Sequence, residues 1–325
     1  MIEDWSEEQR GSFEREGFLI IEEGFIDDDA VEALRERFDP LFAGEYETGI
    51  RPDEVNWVPG RDPEDRTRQI CNGWKADPTI AAQVLSERTG RLAAELMGWD
   101  GVRLLQDNCI WKPPGTKSLG MHQDGSYLDY LVPPEMVTCW IALDDTTAEA
   151  GTITYAAGSH RWPRSPENRG EFHAPADWLA PAHRAVPEGE EVRLVPIEVK
   201  AGGAALHHFN TFHGSGPNTA AVHRRAVISH LVPADAQFHA VHVDPVYSRY
   251  RRVGDLILDE SFFPIVWTRD GRRTGWLEEL TIDRRHPVGP APREVEGVVV
   301  QDVGPDEPRR PPRRSVEEAG AIERE

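Results

Sequence analysis

The sequence predicts a mainly β chain with α elements: a sandwich or barrel of short strands preceded by a layer of helices. Two patterns carry that prediction. Up to about residue 100, apolar residues recur at helical spacing between capping signals. From about Val102 onward they come in short runs broken by Gly, Pro and Asp. Helices first, then many strands with no helices between them, leave sheets to pack on sheets and helices to cover one side.

The elements follow in order. "SEEQ", residues 6–9, is a capping box that opens a short helix. "FLIIEEGF" reads as a strand and "DDDAVEALRERF" as an amphipathic helix. "ADPTIAAQVLSERTGRLAAELMG" reads as one long helix, with Asp77 as N-cap, Pro78 in the first turn and Gly98 just past the end. Its apolar stripe is Ile80, Val84, Leu85, Leu92 and Leu96. Then come "VRLLQDNCIW", "VTCWIAL", "TITYA", "VRLVPIEV", "AALHHFNTFH" and "RAVISHLV", each bounded by turn residues and each expected as a strand. A Pro-, Glu- and Arg-rich insertion separates Trp162 from Arg193 and is long for a loop. Segments 45–66 and 162–193 are expected to form a lid. Residues 1–286 are read as a single domain, and 287–325, rich in Pro, Arg and Glu, as a disordered tail.

Composition narrows the function classes. With 36 Lys and Arg against 57 Asp and Glu, the formal charge is −21, which disfavours nucleic acid and anionic membranes as partners. Cys71, Cys109 and Cys139 are odd in number and widely spaced, so neither a disulfide framework nor a Cys-x-x-Cys metal pair is implied. "MIEDWSEEQR" lacks the apolar core of a signal peptide, and no apolar run nears the roughly 20 residues of a membrane span. A cytoplasmic protein with a small-molecule partner is expected, its oligomeric state left open.

The chemistry concentrates in "LGMHQDGSYLDY". On a strand, residues two apart share a face, so His122 and Asp124 aim a nitrogen and an oxygen donor at one point while Gln123 faces away. Gly120 and Gly125 let the backbone turn and leave room. Such a mixed pair suits Fe(II) in a two-histidine, one-carboxylate site with open positions. A second His-x-Asp, "HVD" at residues 242–244, runs into Pro245 and reads as a surface turn. The third donor is His213, at the end of an apolar strand in "FNTFHGSGPN". An arginine on the following strand could anchor a dicarboxylate cosubstrate. "AVHRRAVISHLV" offers Arg224 and Arg225, of which one faces inward.

Three blocks in this order, "KPPG…HQDGSY", "TCWIALDDTTAEAGTITYAAGSH" and "HGSGPN…RRA", resemble the phytanoyl-CoA dioxygenase family of Fe(II)/2-oxoglutarate-dependent oxygenases, over about residues 10–235. The resemblance implies a double-stranded β-helix core, a jelly roll of cupin-like form. It implies Fe(II) held by His122, Asp124 and His213, with 2-oxoglutarate as cosubstrate and O2 as oxidant. It selects Arg224 for the cosubstrate's distal carboxylate, sets Ser215 beside it, and places Trp140, Gln106 and Lys112 along the cosubstrate side. Ser159 and His160 of "GSHRW" are expected to shape a turn. Related halogenases carry a small residue where Asp124 stands, so halogenation is not expected. His207 and His208 stand where the family prefers apolar residues, as satisfied strand histidines or as substrate contacts.

The expected activity is oxidation of an unactivated C–H bond with release of succinate and CO2. The two lid segments are rich in charged and polar residues and carry Trp57, Trp162 and Trp178. That lining suits a polar substrate, such as an aminoglycoside or another sugar-containing natural product, undergoing hydroxylation or ring closure to an orthoester. Two alternatives stay open: a catalytically inactive jelly roll that only binds a ligand, and a cupin-like metalloenzyme independent of 2-oxoglutarate.

Overall fold

Backbone pairing sorts twelve of the fourteen described strands into two facing antiparallel sheets, and the remaining two pair with each other as a small third sheet. In chain order the elements are α1 (Glu7–Glu16), β1 (Phe18–Ile21), α2 (Asp28–Glu36), α3 (Phe38–Ala43), β2 (Glu54–Val55), β3 (Arg68–Cys71), α4 (Pro78–Val84) and α5 (Glu87–Met97). There follow β4 (Gly101–Lys112), β5 (Leu119–His122), β6 (Leu131–Val132), β7 (Val137–Ala142), β8 (Ile153–Ala156), α6 (Ala180–Ala185), β9 (Leu194–Pro196), β10 (Ala204–His208), β11 (His213–Ser215), β12 (Arg224–Pro233), β13 (Gln237–Phe238) and β14 (Ile265–Thr268). The computed structural model describes residues 4–166 and 172–278, all within one compact unit, Met1–Gly289. The tail expected from residue 287 lies outside the described residues. No helix among the described residues is long and apolar enough to cross a membrane.

The larger sheet runs β1-β10-β7-β12-β4-β3-β2, with β14 also on β4; the smaller runs β5-β11-β8-β9. The chain steps from one sheet to the other between β4 and β5, β5 and β7 (by way of β6), β7 and β8, β9 and β10, β10 and β11, and β11 and β12. This is a jelly roll made of two sheets, not a closed barrel. One face of the larger sheet, with Val137, Cys139, Ile141, Leu206 and Val227, packs against Leu34, Phe38 and Leu92 of the helices. The opposite face, with Thr138, Trp140, His207, Ile228 and His230, looks into the space between the sheets.

Local signals explain most boundaries. Ser6 and Gln9 close a reciprocal capping box on α1. Asp77 accepts from Thr79 N and Ile80 N at the start of α4. The single long helix expected from residue 78 is two helices, because Ser86 takes extended backbone and its hydroxyl accepts from Thr89 N to cap α5. "AALHHFNTFH" is likewise two strands, one in each sheet, with a corner at residues 209–212. The insertion contains the short helix α6. The strand β14 lies beyond the expected strands, in "PIVWTRDG", where Pro264 and the Asp270 and Gly271 turn bound three β-branched residues.

Candidate metal centre

His122 ends β5, His213 begins β11, and the two are direct antiparallel partners, which puts both imidazoles on the same face. Their ring centroids lie 4.2 Å apart. Asp124 is not on the strand. It opens a 3-10 turn, Asp124–Tyr127, after Gln123 in extended conformation. From there its Oδ1 sits 3.5 Å from His122 Nε2 and 3.5 Å from His213 Nε2. One donor atom from each of the three lies within 4.8 Å of the others.

The donor chemistry fits a ferrous ion. Each imidazole has its Nδ1 3.0 Å from a carbonyl oxygen two residues earlier, Gly120 O for His122 and Thr211 O for His213. Those Nδ1–H groups donate there, so both Nε2 lone pairs are left for a metal. Burial, with the neighbouring His122, pushes the His213 imidazole well below its usual range and keeps it neutral. Burial opposes ionisation of Asp124, but the imidazoles of His213, His122 and His207 around it hold its carboxyl well below the ordinary value. Two imidazole nitrogens and one carboxylate oxygen converge.

Asp124 Oδ2 has partners of its own. It accepts from Thr138 Oγ1 at 3.0 Å and from His207 Nε2 at 3.2 Å. Tyr155 OH lies 2.8 Å from His207 Nδ1. Behind Thr138 stands His230, its Nδ1 2.9 Å from Oγ1, and Asn108 Nδ2 lies 2.9 Å from His230 Nε2. Burial pushes the His230 imidazole down to about 4, so the ring is neutral. Asn108 Oδ1 accepts from Gln106 Nε2 at 2.9 Å, and Gln106 Oε1 accepts from Tyr247 OH.

Beside the triad lies a cavity of about 410 Å³ walled by both sheets. At one end Arg224 is 2% exposed, its Nε and Nη2 donating to Gly151 O at 3.1 and 2.7 Å, its Cζ 6.0 Å from the Trp140 ring centre. Burial pulls this guanidinium down to about 10, and among the described residues no carboxylate pairs with it. Lys112, its partner on β4, is fully buried and donates to Ser215 Oγ at 3.0 Å and to Gly216 O. Ser215 Oγ therefore keeps its own hydrogen to donate. A buried guanidinium with no carboxylate partner among the described residues, beside a hydroxyl donor, makes a ready carboxylate seat, while burial and the neighbouring Arg224 pull the Lys112 ammonium well below its usual range.

A family model described as phytanoyl-CoA dioxygenase matches residues 13–226. The chain belongs to the phytanoyl-CoA dioxygenase family. Among curated relatives, the "Probable alpha-ketoglutarate-dependent hypophosphite dioxygenase" of Stutzerimonas stutzeri is 29% identical over 175 residues, 52% of this chain and 58% of that protein. The phytanoyl-CoA dioxygenase of Arabidopsis thaliana is 30% identical over 166 residues, 49% of this chain and 54% of that protein. The chain thus spans about half the length of these curated relatives. Among solved structures, the non-heme alpha ketoglutarate dependent carbocyclase SnoK from nogalamycin biosynthesis superposes with a TM-score of 0.62 at 24% identity. That likeness, over 82% of this chain and 98% of SnoK, is one of fold.

As a member of the phytanoyl-CoA dioxygenase family, the chain departs from its sequence reading in several places. Gln106 is not on the cosubstrate side. It lies six residues along β4 from Lys112, roughly 20 Å at strand rise, and sits beside Tyr247. Lys112 does not line the cavity but stands behind Ser215. None of Trp57, Trp162 and Trp178 reaches the cavity. Trp57 stacks under Arg68 at 3.7 Å, and Trp162 packs on Phe212. Gly125 does not leave room: a Cβ there would meet Asn210 Oδ1 at 2.3 Å. Ser159 does shape a turn, its Oγ donating to Ala156 O and accepting from Phe212 N. His207 is a contact of the metal-facing carboxylate, whereas His208 packs on Phe209.

Sequence reasoning missed part of the wall. His242 does sit at the surface, paired with Asp129, but residues 244–247 just after it line the cavity mouth. From segment 45–66 only Glu54 reaches the cavity, and from the insertion Phe172 and His173. Gln123, the middle residue of His-Gln-Asp, is fully buried and ties the metal turn to its surroundings. Its Oε1 accepts from Ser165 N at 2.7 Å and its Nε2 donates to Asn210 O at 2.8 Å, while Ser126 Oγ donates to Ser165 O at 2.6 Å.

Proposed function

We propose that the chain is an Fe(II)- and 2-oxoglutarate-dependent dioxygenase that oxidises a C–H bond of a polar small molecule. One observation carries this reading: the His122, Asp124 and His213 donors converge in the same cavity into which the carboxylate-free Arg224 opens. His122, Asp124 and His213 would hold the metal. Arg224 and the Ser215 hydroxyl would bind the distal carboxylate of 2-oxoglutarate, with Trp140 packed along its flank. Bound there, Fe(II) with 2-oxoglutarate and O2 supplies the power to oxidise an unactivated C–H bond, releasing succinate and CO2. The apolar side chains of Ile153, Leu119 and Ile228 exclude water around that seat.

The substrate end of the cavity has a different character. Glu54, Gln106, Asn108, Asp244 and Tyr247 line it, and neither acid has a lysine or arginine partner among the described residues. Such a wall suits amines and hydroxyls and repels small anions such as hypophosphite. An aminoglycoside or another sugar-containing natural product fits, through hydroxylation or closure of a ring such as an orthoester.

Anaerobic addition of Fe(II) and 2-oxoglutarate should give a weak visible charge-transfer band. A mixture that stays colourless overturns the reading and leaves the inactive binder or the cosubstrate-independent metalloenzyme. Coupled succinate release, screened with amines, sugars and hypophosphite, then tests the substrate class.

A further inference from the structure

We propose that His207 and His230 are positioning residues, forming two arms of a hydrogen-bonded clamp that sets Asp124 for its metal. The proposal rests on the metal-centre reading above and assigns roles to side chains outside the ligand set.

An ionised carboxylate can only accept, so every group that reaches its oxygens must donate. On the first arm, His207 donates from Nε2 to Asp124 Oδ2, and its Nδ1 lies 2.8 Å from Tyr155 OH, which holds the ring in place. On the second arm, Thr138 spends its hydroxyl hydrogen on Asp124 Oδ2. Its oxygen can then only accept from His230 Nδ1–H, which leaves His230 Nε2 to accept from Asn108 Nδ2. Asn108 Oδ1 in turn accepts from Gln106 Nε2. Every donor in the row points toward the carboxylate.

Both arms end on Oδ2 and neither on Oδ1. Oδ1 is the oxygen that faces His122 Nε2 and His213 Nε2 at 3.5 Å. The clamp thus stops rotation of the carboxylate and reserves one oxygen for the metal. His207 reaches it from β10 and His230 from β12, neighbours of β7, which carries Thr138. Three adjacent strands of the larger sheet therefore aim the ligand that the smaller sheet's turn supplies.

The test is Co(II) affinity, read from its visible bands with no turnover required. Outer partners of metal ligands typically govern affinity by about 10- to 100-fold. His207→Phe and Thr138→Val should each weaken Co(II) binding by roughly that much. His230→Leu acts in series with Thr138, so Thr138→Val with His230→Leu should bind no worse than Thr138→Val alone. His207→Phe with Thr138→Val cuts both arms, and the two losses should multiply. Thr138→Ser keeps the hydroxyl and should restore wild-type affinity, which separates the hydrogen bond from a folding defect. Unchanged affinity in His207→Phe and His230→Leu overturns the clamp, as does a multiplying loss in the series pair. A wild-type chain that takes up no Co(II) would instead remove the metal centre itself.

Discussion

Arg224 and Arg225 are adjacent in sequence and send their guanidinium groups to opposite faces of β12. Arg224 opens into the cavity, while Arg225 makes a two-pronged pair with Asp144 at 2.7 and 3.0 Å on the other side. Arg224→Ala should raise the 2-oxoglutarate requirement by roughly 30-fold or more, the loss expected for one partner of a buried charge pair. Arg225→Ala should leave that requirement unchanged and lower the melting temperature. Succinate release against 2-oxoglutarate concentration distinguishes them, and equal effects would argue against the assignment of Arg224.

Lys112 acts through Ser215. In Lys112→Met the Ser215 hydroxyl loses the donor that turns its hydrogen outward. The rise in melting temperature that excess 2-oxoglutarate gives the wild type should shrink, as for an affinity about 10-fold weaker. Ser215→Ala should shrink it similarly, and the double variant no further. Thermal shifts with and without 2-oxoglutarate decide this.

Gly214 follows His213 on β11 and lies close against the backbone of β5. A Cβ there would sit 2.9 Å from both Leu119 O and Met121 N, backbone atoms of β5 that cannot swing aside. Gly214→Ala should therefore push β5 from β11, destabilise by about 1–3 kcal/mol as overpacking does, and weaken Co(II) binding by separating His122 from His213. Unchanged melting and metal affinity would show that the strands adapt.

Asp107 gives the chain a pH dependence away from the site. It is fully buried, accepts from Trp74 N at 3.0 Å, and burial pushes its carboxyl up to about 7. An unfolded aspartate releases its proton near 4. Between about pH 4 and 7 the folded state binds more protons, so this group's contribution makes stability fall as pH rises through that window and stay low above it. Asp107→Asn should raise the melting temperature at pH 8 and leave it nearly unchanged at pH 4. His208 acts in the opposite sense: burial pushes it down to about 4, so its contribution is lost as pH falls from about 6.5.

Much of the centre was legible because its signals are short. His122, Asp124 and His213 stand in two compact strings, and alternation along β12 leaves one inward arginine of the Arg224 and Arg225 pair. The helical layer and the two-sheet core follow from a change of period near Val102. What escaped depends on register, which one sequence does not contain. Thr138, His207 and His230 meet at Asp124 only because β10, β7 and β12 are neighbours. The family resemblance sets Gln106 along the cosubstrate side, yet strand rise carries it roughly 20 Å along β4 from Lys112, the partner of Arg224. The helix break at Ser86 was hidden by an apolar stripe that continues across it, although the serine is a good N-cap. Residues 244–247 reach the mouth through a chain path with no periodic signal.

The fastening at Gln123 has a consequence for redesign. Both of its neighbouring anchors, Gln123 Oε1 and Ser126 Oγ, grip Ser165 by its main chain, one at the N–H and one at the carbonyl. The Ser126 hydroxyl also lies 3.3 Å from Ser165 Oγ, so another residue at this joint would keep both main-chain bonds and lose only that side-chain contact. Proline is the exception, since it has no N–H to offer. A graft that places proline at 165 would lose the bond to Gln123 and be held to the turn that carries Asp124 by the Ser126 hydroxyl alone.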